Sequence, residues 1–253
     1  MAEIALPRGY RLVPLDTVDS TNEEAGRLAM TGSRQETLVI WAKSQTAGRG
    51  RKGRHWVSEP GNLYCSFLIP ARWPTRRAPE VGFVAANAVA ETVTAFLPPS
   101  CRVVCKWPND VLVNDRKIAG ILLENPVGHT PQLILGIGIN LALCPDETRY
   151  PATSLVAEGA EEPDIGKVLG GLAHRVSEGL AAWQRDGFRD VRRAWLARAA
   201  GLGAPIEVRL PGETLHGVFR GLDEDGTLVL AIGEAQRRIA AGDVLLAPPP
   251  LDG

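Results

Sequence analysis

The sequence predicts an α+β protein: a mixed β-sheet with helices on one face, followed by a small all-β module. Three observations predict it. Helical periodicity is confined to a few segments, β-rich runs lie between them with several in close succession, and past Gly201 short alternating segments divided by turn signals replace both. Strands that follow one another so closely fit a mixed sheet better than a doubly wound parallel one.

In chain order, Asp19-Ser20-Thr21-Asn22-Glu23-Glu24 has the spacing of a capping box, Ser20 with Glu23 or Thr21 with Glu24, and marks a helix start. Strands are expected over 37–41 and 62–68. A helix follows over 78–96, where Val81, Val84, Ala85, Ala88 and Val89 recur every three or four residues. Further strands are expected over 101–106, 111–113, 117–124 and 133–139, with Asn114-Asp115 as a hairpin turn. Asp164 caps a second helix whose buried stripe runs Ile165, Val168, Leu169, Leu172, Val176, Leu180 and Trp183, and a third covers 190–200. From Pro205 the segments 206–210, 217–220 and 227–230 are joined by turns at Pro211-Gly212 and Asp225-Gly226. A module of about 45 residues cannot bury a large core alone, so it should pack on the main domain. The expected division is 1–202 and 203–253, and Pro248-Pro249-Pro250 reads as a frayed tail.

Composition narrows the classes of function. Of 253 residues 45% are hydrophobic and 23% charged, the balance of a folded protein and not of a disordered one. A net charge of −1 supplies no overall field for nucleic acid or an anionic membrane, so any basic site is local. No apolar run approaches the roughly 18–20 residues of a membrane span. Pro7, Arg8, Gly9 and Arg11 interrupt the first residues where a secretory signal needs an unbroken apolar core, and a cytoplasmic location is expected. Four cysteines without a C-x-x-C pair exclude a disulfide scaffold; Cys101 and Cys105 read as buried thiols before metal ligands. His55, His129, His174 and His216 show no ligand spacing.

The segment Gln45-Thr46-Ala47-Gly48-Arg49-Gly50-Arg51-Lys52-Gly53-Arg54-His55-Trp56 carries the most information. Its glycines let the backbone approach a ligand, and Arg49, Arg51, Lys52 and Arg54 suit a polyphosphate, although a solvated basic loop or a nucleic-acid patch shows the same charge. It is not a Walker A loop, because no Lys-Ser/Thr follows the last glycine. In Lys106-Trp107-Pro108-Asn109-Asp110, Pro108 ends or bends the strand; Asn109 and Asp110 form an Asx turn or face a ligand. Lys117 heads an apolar strand beside Ala119-Gly120, where it either snorkels or fixes an anion. Gly136-Ile137-Gly138-Ile139-Asn140 has one face without side chains, as close approach of a ligand or of another backbone requires.

The order of these motifs, from Ser20-Thr21-Asn22 through the arginine-glycine segment, Lys106-Trp-Pro-Asn-Asp110 and Lys117-Ile-Ala-Gly-Ile-Leu122 to Gly136-Ile-Gly-Ile-Asn140, resembles the biotin protein ligases. The resemblance covers about residues 16–145 in motif detail, and the module from Pro205 looks like their SH3-like C-terminal domain. It implies a catalytic domain of the class II aminoacyl-tRNA synthetase-like, or biotin ligase, fold. It also implies the activity: ATP and biotin, with Mg²⁺, give biotinyl-5′-AMP, and biotin then passes to one lysine of a biotin carboxyl carrier domain.

By that resemblance Ser20, Thr21, Asn22 and Gln45 bind biotin, with Gly48, Arg49, Gly50 and Arg51 closing over it and Gly120, Gly136 and Gly138 beneath. Lys117 serves carboxylate and phosphoryl oxygen, and Lys117, Arg51 and Asp110 are the catalytic candidates. Arg51, Arg54, Trp56, Lys117 and Asn140 bind ATP, with Trp56 against adenine, and Asn109 and Asp110 help hold Mg²⁺. Residues 46–54 are expected to be mobile without ligand and to shield the anhydride from water once ordered. Some relatives repress transcription through an N-terminal helix-turn-helix; residues 1–19 are too few for one, so no operator binding is expected. Monomer and homodimer are both compatible, and no nucleic-acid or membrane partner is implied. A lipoate or octanoate transferase is the nearest rival enzyme, with Cys144 as the conceivable thiol nucleophile; a salt-sensitive nucleic-acid binder is the rival of another class.

Overall fold

A computed structural model describes residues 4–32, 35–126, 131–145 and 150–246. His129 and Pro248-Pro249-Pro250 lie outside the described residues. Seven strands form the main sheet: β1 (Tyr10–Val18), β2 (Thr37–Gln45), β3 (Leu63–Pro70), β4 (Val103–Lys106), β5 (Asp110–Val113), β6 (Arg116–Glu124) and β7 (Gln132–Ile139). Their order is β1-β2-β3-β7-β6-β5-β4, with β1 and β2 parallel and every other pair antiparallel, which makes the sheet mixed. Asn114 and Asp115 both have positive φ, 47° and 65°, and join β5 to β6 as the two-residue hairpin turn the sequence predicts.

Strand alternation sorts the side chains between two faces. Val39, Trp41, Phe67, Leu133, Leu135 and Ile137 point to the back face and share one core with α2 (Ala78–Thr94) and α3 (Ile165–Asp186). Leu38, Ile40, Leu68 and Ile134 point the other way and meet Ala25 and Ala29 of α1 (Thr21–Ala29). The two long helices therefore share one face, as expected, while short α1 lies on the opposite face and walls a cleft there. Ser20 stands at the N-cap of α1 with extended φ/ψ, but its side chain caps nothing. The capping-box reading is thus corrected: the Thr21 amide donates instead to Gln45 Oε1 at 2.9 Å, tying the helix start to β2. Asp164 does cap α3, accepting from the amides of Gly166 and Lys167. Asp164→Ala is expected to cost about 1 kcal/mol and lower the melting temperature by roughly 2–4 °C, read by calorimetry.

After α4 (Phe188–Leu196) come β8 (Pro205–Leu210), β9 (Glu213–Leu222), β10 (Leu228–Ile232), β11 (Ala235–Ile239) and β12 (Asp243–Leu246). They form an antiparallel sheet of order β11-β10-β9-β8-β12, an SH3-like arrangement whose edge strands β11 and β12 are not paired with each other. Phe219, Leu222, Leu228 and Leu230 belong to the same core as the back-face helices. At the β9–β10 turn, Gly226 lies so close to Phe83 that a Cβ would stand 2.5 Å from the ring, and its carbonyl accepts from Trp107 Nε1 at 3.2 Å. The module is thereby seated beside the turn that follows β4.

Candidate active site

A cleft of about 380 Å³ opens on the α1 face, within the usual size range of ligand pockets. Its floor is the glycine-bearing stretch of β6 and β7, its walls are the start of α1 and the end of β2, and the arginine-glycine segment crosses its mouth. A Cβ on Gly138 would stand 2.6 Å from Trp56 Cε2, and one on Gly120 2.9 Å from Cζ3, so the indole lies flat on these two glycines. Gly136 gives the same room to the Asn22 carboxamide, whose Cγ would be 2.9 Å from a Cβ there. The floor the sequence reserves for a ligand is thus approached closely by the indole and the carboxamide.

One end of the cleft is a buried polar row. Ser20, Thr21, Asn22 and Ser66 are at most 5% exposed. Asn22 Nδ2 donates to Glu124 Oε2 at 2.7 Å, and Ser66 Oγ lies 2.6 Å from Asn22 Oδ1 and 2.8 Å from Thr21 Oγ1. Gln45 Nε2 donates to Ser58 Oγ at 2.8 Å, and Ser58 in turn to the Trp56 carbonyl at 2.8 Å. Gly48 is packed beneath this last link, where a Cβ would stand 2.5 Å from Ser58 Oγ.

Toward the other end Lys117 projects from β6, its backbone clamped by the stretch after the cleft: its amide donates to Pro151 O and its carbonyl accepts from Thr153 N. Its ammonium is 2.6 Å from Asp110 Oδ1 and 5.4 Å from the centre of the Trp56 ring. Asp110 also pairs with Lys106 at 3.2 Å, and Lys106 lies 4.2 Å from the Tyr150 ring centroid. Burial pushes the Asp110 carboxyl up, but Lys117 and Lys106 together outweigh it and hold it below the usual carboxylate range. Burial lowers the Lys106 ammonium. Asn140 Nδ2 donates to Thr153 O at 3.0 Å, which leaves Oδ1 as its acceptor.

The cationic segment is a short hairpin closed by Gly50 N to Arg54 O at 2.7 Å and Trp56 N to Gly48 O at 2.9 Å, with Lys52 (φ 56°) and Gly53 (φ 70°) at its tip. Each of its cations has a protein partner. Arg49 pairs with Glu23 and Glu124, Arg51 donates to Asn109 Oδ1 at 3.1 Å and Gly242 O at 3.4 Å, and Lys52 and Arg54 both meet Asp243 at 3.1 Å. Burial would raise the Asp243 carboxyl, and the surrounding cations reverse that and keep it low. The C-terminal module is thus fastened to the mouth of the cleft.

Most residues singled out in the sequence converge on this one cleft. Ser20, Thr21, Asn22, Gln45, Arg49, Gly50, Arg51, Arg54, Trp56, Asn109, Lys117, Gly120, Gly136, Gly138 and Asn140 all line it. Gly48 and Asp110 stand one layer behind, under Trp56 and against Lys117. The assignment of Asn109 and Asp110 to Mg²⁺ does not suit the donor set. The Asp110 carboxylate already serves two ammonium groups, Asn109 accepts from Arg51, and the described residues hold no cluster of three His, Cys, Asp or Glu side chains. Tyr150 also lines the cleft, and Ser58, Ser66 and Glu124 stand behind its wall against Gln45 and Asn22; none of the four carries a sequence signal. Cys144 does not line the cleft, and burial pushes the thiols of Cys65 and Cys105 up, that of Cys105 to about 12.

Comparison with known proteins supplies the family. Residues 16–140 match the family model described as biotin/lipoate A/B protein ligase, and residues 201–246 match the biotin protein ligase C-terminal domain. The chain is 38% identical over 240 residues to the biotin–[acetyl-CoA-carboxylase] ligase of Paracoccus denitrificans, covering 91% of this chain and 98% of that one. The Mycobacterium tuberculosis ligase of the same name is 31% identical over 231 residues, 89% of this chain and 85% of its own. Among solved structures, the Aquifex aeolicus biotin protein ligase in complex with biotin and ATP superposes with a TM-score of 0.79 at 29% identity, covering 93% of this chain and 97% of that one. With a glycine-floored cleft, a buried polar row and a cationic hairpin in the part that matches, and identity running through both parts, this chain belongs to the biotin/lipoate A/B protein ligase family.

Proposed function

We propose that the chain is an ATP-dependent biotin protein ligase that forms biotinyl-5′-AMP and then acylates a lysine of a biotin carboxyl carrier domain. The observation that carries this is the position of Lys117, an ammonium held in one cleft that also presents a buried polar row and a cationic hairpin. The polar row suits the two N–H groups and the carbonyl of a cyclic urea, which a dithiolane or an alkyl chain cannot satisfy. Lys117 stands where the acid tail of biotin meets the α-phosphate, with adenine against Trp56 and the Asn140 oxygen.

In the first step a biotin carboxylate oxygen bonds to the α-phosphorus and the bond to the β-phosphate breaks, releasing pyrophosphate. Two anions must meet, and an ammonium about 4 Å from each gains about 4 kcal/mol per pair at an effective dielectric of about 20. Lys117 can turn from Asp110 to the reacting groups without stranding the carboxylate, because Lys106 stays on it. In the second step the acceptor amine attacks the acyl carbon and AMP leaves, so no enzyme nucleophile is needed. The hairpin keeps the anhydride in and water out. Arg51→Gly removes the bonds to Asn109 and Gly242 and is expected to release the adenylate early. The readout is biotin on lysines of unrelated added protein, which wild type leaves unlabelled; labelling confined to the carrier domain would contradict it.

Purified protein with ATP, biotin and an isolated carrier domain tests the whole reading. Biotin on the carrier lysine, and no acyl transfer from lipoate or octanoate, is the expected result. Transfer of lipoate, or none at all, would overturn it.

A further inference from the structure

The polar row and the cationic hairpin meet at one buried hydroxyl. Ser58 is 6% exposed and stands behind the wall of the cleft. A carbonyl oxygen only accepts, so the contact of 2.8 Å between Ser58 Oγ and the Trp56 carbonyl takes the single Ser58 hydrogen. The Ser58 oxygen is left to accept, and Gln45 Nε2 donates to it at 2.8 Å. At the other end of the same side chain, Gln45 Oε1 accepts from the Thr21 amide at 2.9 Å and from Thr21 Oγ1 at 3.2 Å. The Thr21 amide by itself fixes which way round Gln45 stands. What Ser58 adds is a connection: a continuous series of hydrogen bonds runs from the start of α1 through Gln45 and Ser58 to Trp56, whose amide closes the base of the hairpin on Gly48 O at 2.9 Å. Gly48 lies against every link of it. A Cβ there would collide with the Trp56 carbonyl oxygen and stand 2.5 Å from Ser58 Oγ and 3.0 Å from Gln45 Nε2.

We propose that Ser58 is a positioning residue that couples occupation of the polar row to closure of the hairpin. This rests on the biotin reading and deepens it: the shield over the anhydride is tied to the ureido end by a hydroxyl that lines no part of the cleft. Biotin bound at Thr21 and Gln45 restrains the Nε2 that Ser58 accepts from, Ser58 holds the Trp56 carbonyl, and the Trp56 amide stays on Gly48. Linkage makes the effect reciprocal, so the factor by which biotin suppresses opening of the hairpin equals the factor by which the closed hairpin strengthens biotin. Ser58→Ala removes this link alone. The main-chain bond from Gln45 N to Ser58 O at 3.1 Å needs no side chain and keeps the two segments adjacent. Gly48→Ala strikes the same link from the opposite side.

The experiment measures hydrogen exchange at the Gly50 and Trp56 amides, the two that close the hairpin, with and without biotin, together with the dissociation constant for biotin. In wild type, biotin is expected to slow both amides about tenfold, a result that depends on no variant folding. In Ser58→Ala the slowing should fall below about threefold and biotin should bind about tenfold more weakly. In pyrophosphate exchange the loss should appear in the KM for biotin, with kcat reduced less than about threefold, a split that general loosening of the fold does not produce. The double variant with Gly48→Ala should be no weaker than Gly48→Ala alone, because both changes cut one link. Full slowing by biotin in Ser58→Ala would overturn the proposal and show that the ligand holds the hairpin by direct contact alone. Wild-type amides indifferent to bound biotin, or effects that multiply in the double variant, would overturn it too. Failure of wild type to bind biotin would instead overturn the function on which it rests.

Discussion

Lys117→Ala is expected to reduce biotin-dependent ATP–pyrophosphate exchange by about 10²–10³-fold, the usual effect of removing a charge aimed at a reacting oxyanion. The fold should survive the change. Asp110 loses its contact of 2.6 Å but keeps Lys106 at 3.2 Å, so no buried charge is left alone. Loss of exchange with a melting temperature within a few degrees of wild type is the result expected from exchange assay and calorimetry together. Exchange within threefold of wild type would show that Lys117 merely snorkels from the head of its strand.

Asp110→Asn is expected to have the largest effect on stability. Lys106 is only 7% exposed, and removing its counter-charge leaves a buried ammonium uncompensated, at a cost of about 3–5 kcal/mol. For a chain of this length that corresponds to roughly 10 °C in melting temperature. Combining Asp110→Asn with Lys106→Met should restore most of the loss, since removing both charges leaves neither stranded. The pH dependence has a definite sign. The Asp110 carboxyl is held below its unfolded value of about 3.9, so its contribution is complete above that pH and is lost as pH falls through the folded value. The gap in melting temperature between wild type and Asp110→Asn should therefore stay open from neutrality to about pH 4 and close below it. A gap that closes already near pH 6 would contradict the pairing.

The parts of this molecule legible in the sequence are those that local chemistry specifies. The stripe from Ile165 to Trp183, the cap at Asp164 and the turn at Asn114-Asp115 depend on neighbours a few residues away, and each is found where the sequence places it. Strand β1 is not legible. Pro14 and the charges at Arg8 and Arg11 make it look like an irregular start, yet β1 is an edge strand, where a residue without an N–H is tolerated. β11 hides in the same way behind Gln236, Arg237 and Arg238, three exposed side chains on a short edge. Within the site, glycines and cations announce themselves as residue types, but what they touch does not. Glu124 reaches Asn22 across 102 residues and Asp243 reaches Lys52 across 191, pairings that only the assembled sheets and the docked module create. The capping-box spacing misleads for a related reason: Ser20 caps no amide of α1, and the first of those amides, that of Thr21, is bound by Gln45, a tertiary partner.

On the proposed function one cleft holds the acid tail and the nucleotide with Lys117 between them. A crystal structure of the protein with biotin and ATP tests it most directly. The expected result is the ureido ring against Thr21 and Gln45, and the carboxylate and α-phosphate both within hydrogen-bond reach of Lys117 Nζ. Biotin bound away from Thr21, or two ligands too far apart to share the Lys117 ammonium, would contradict it.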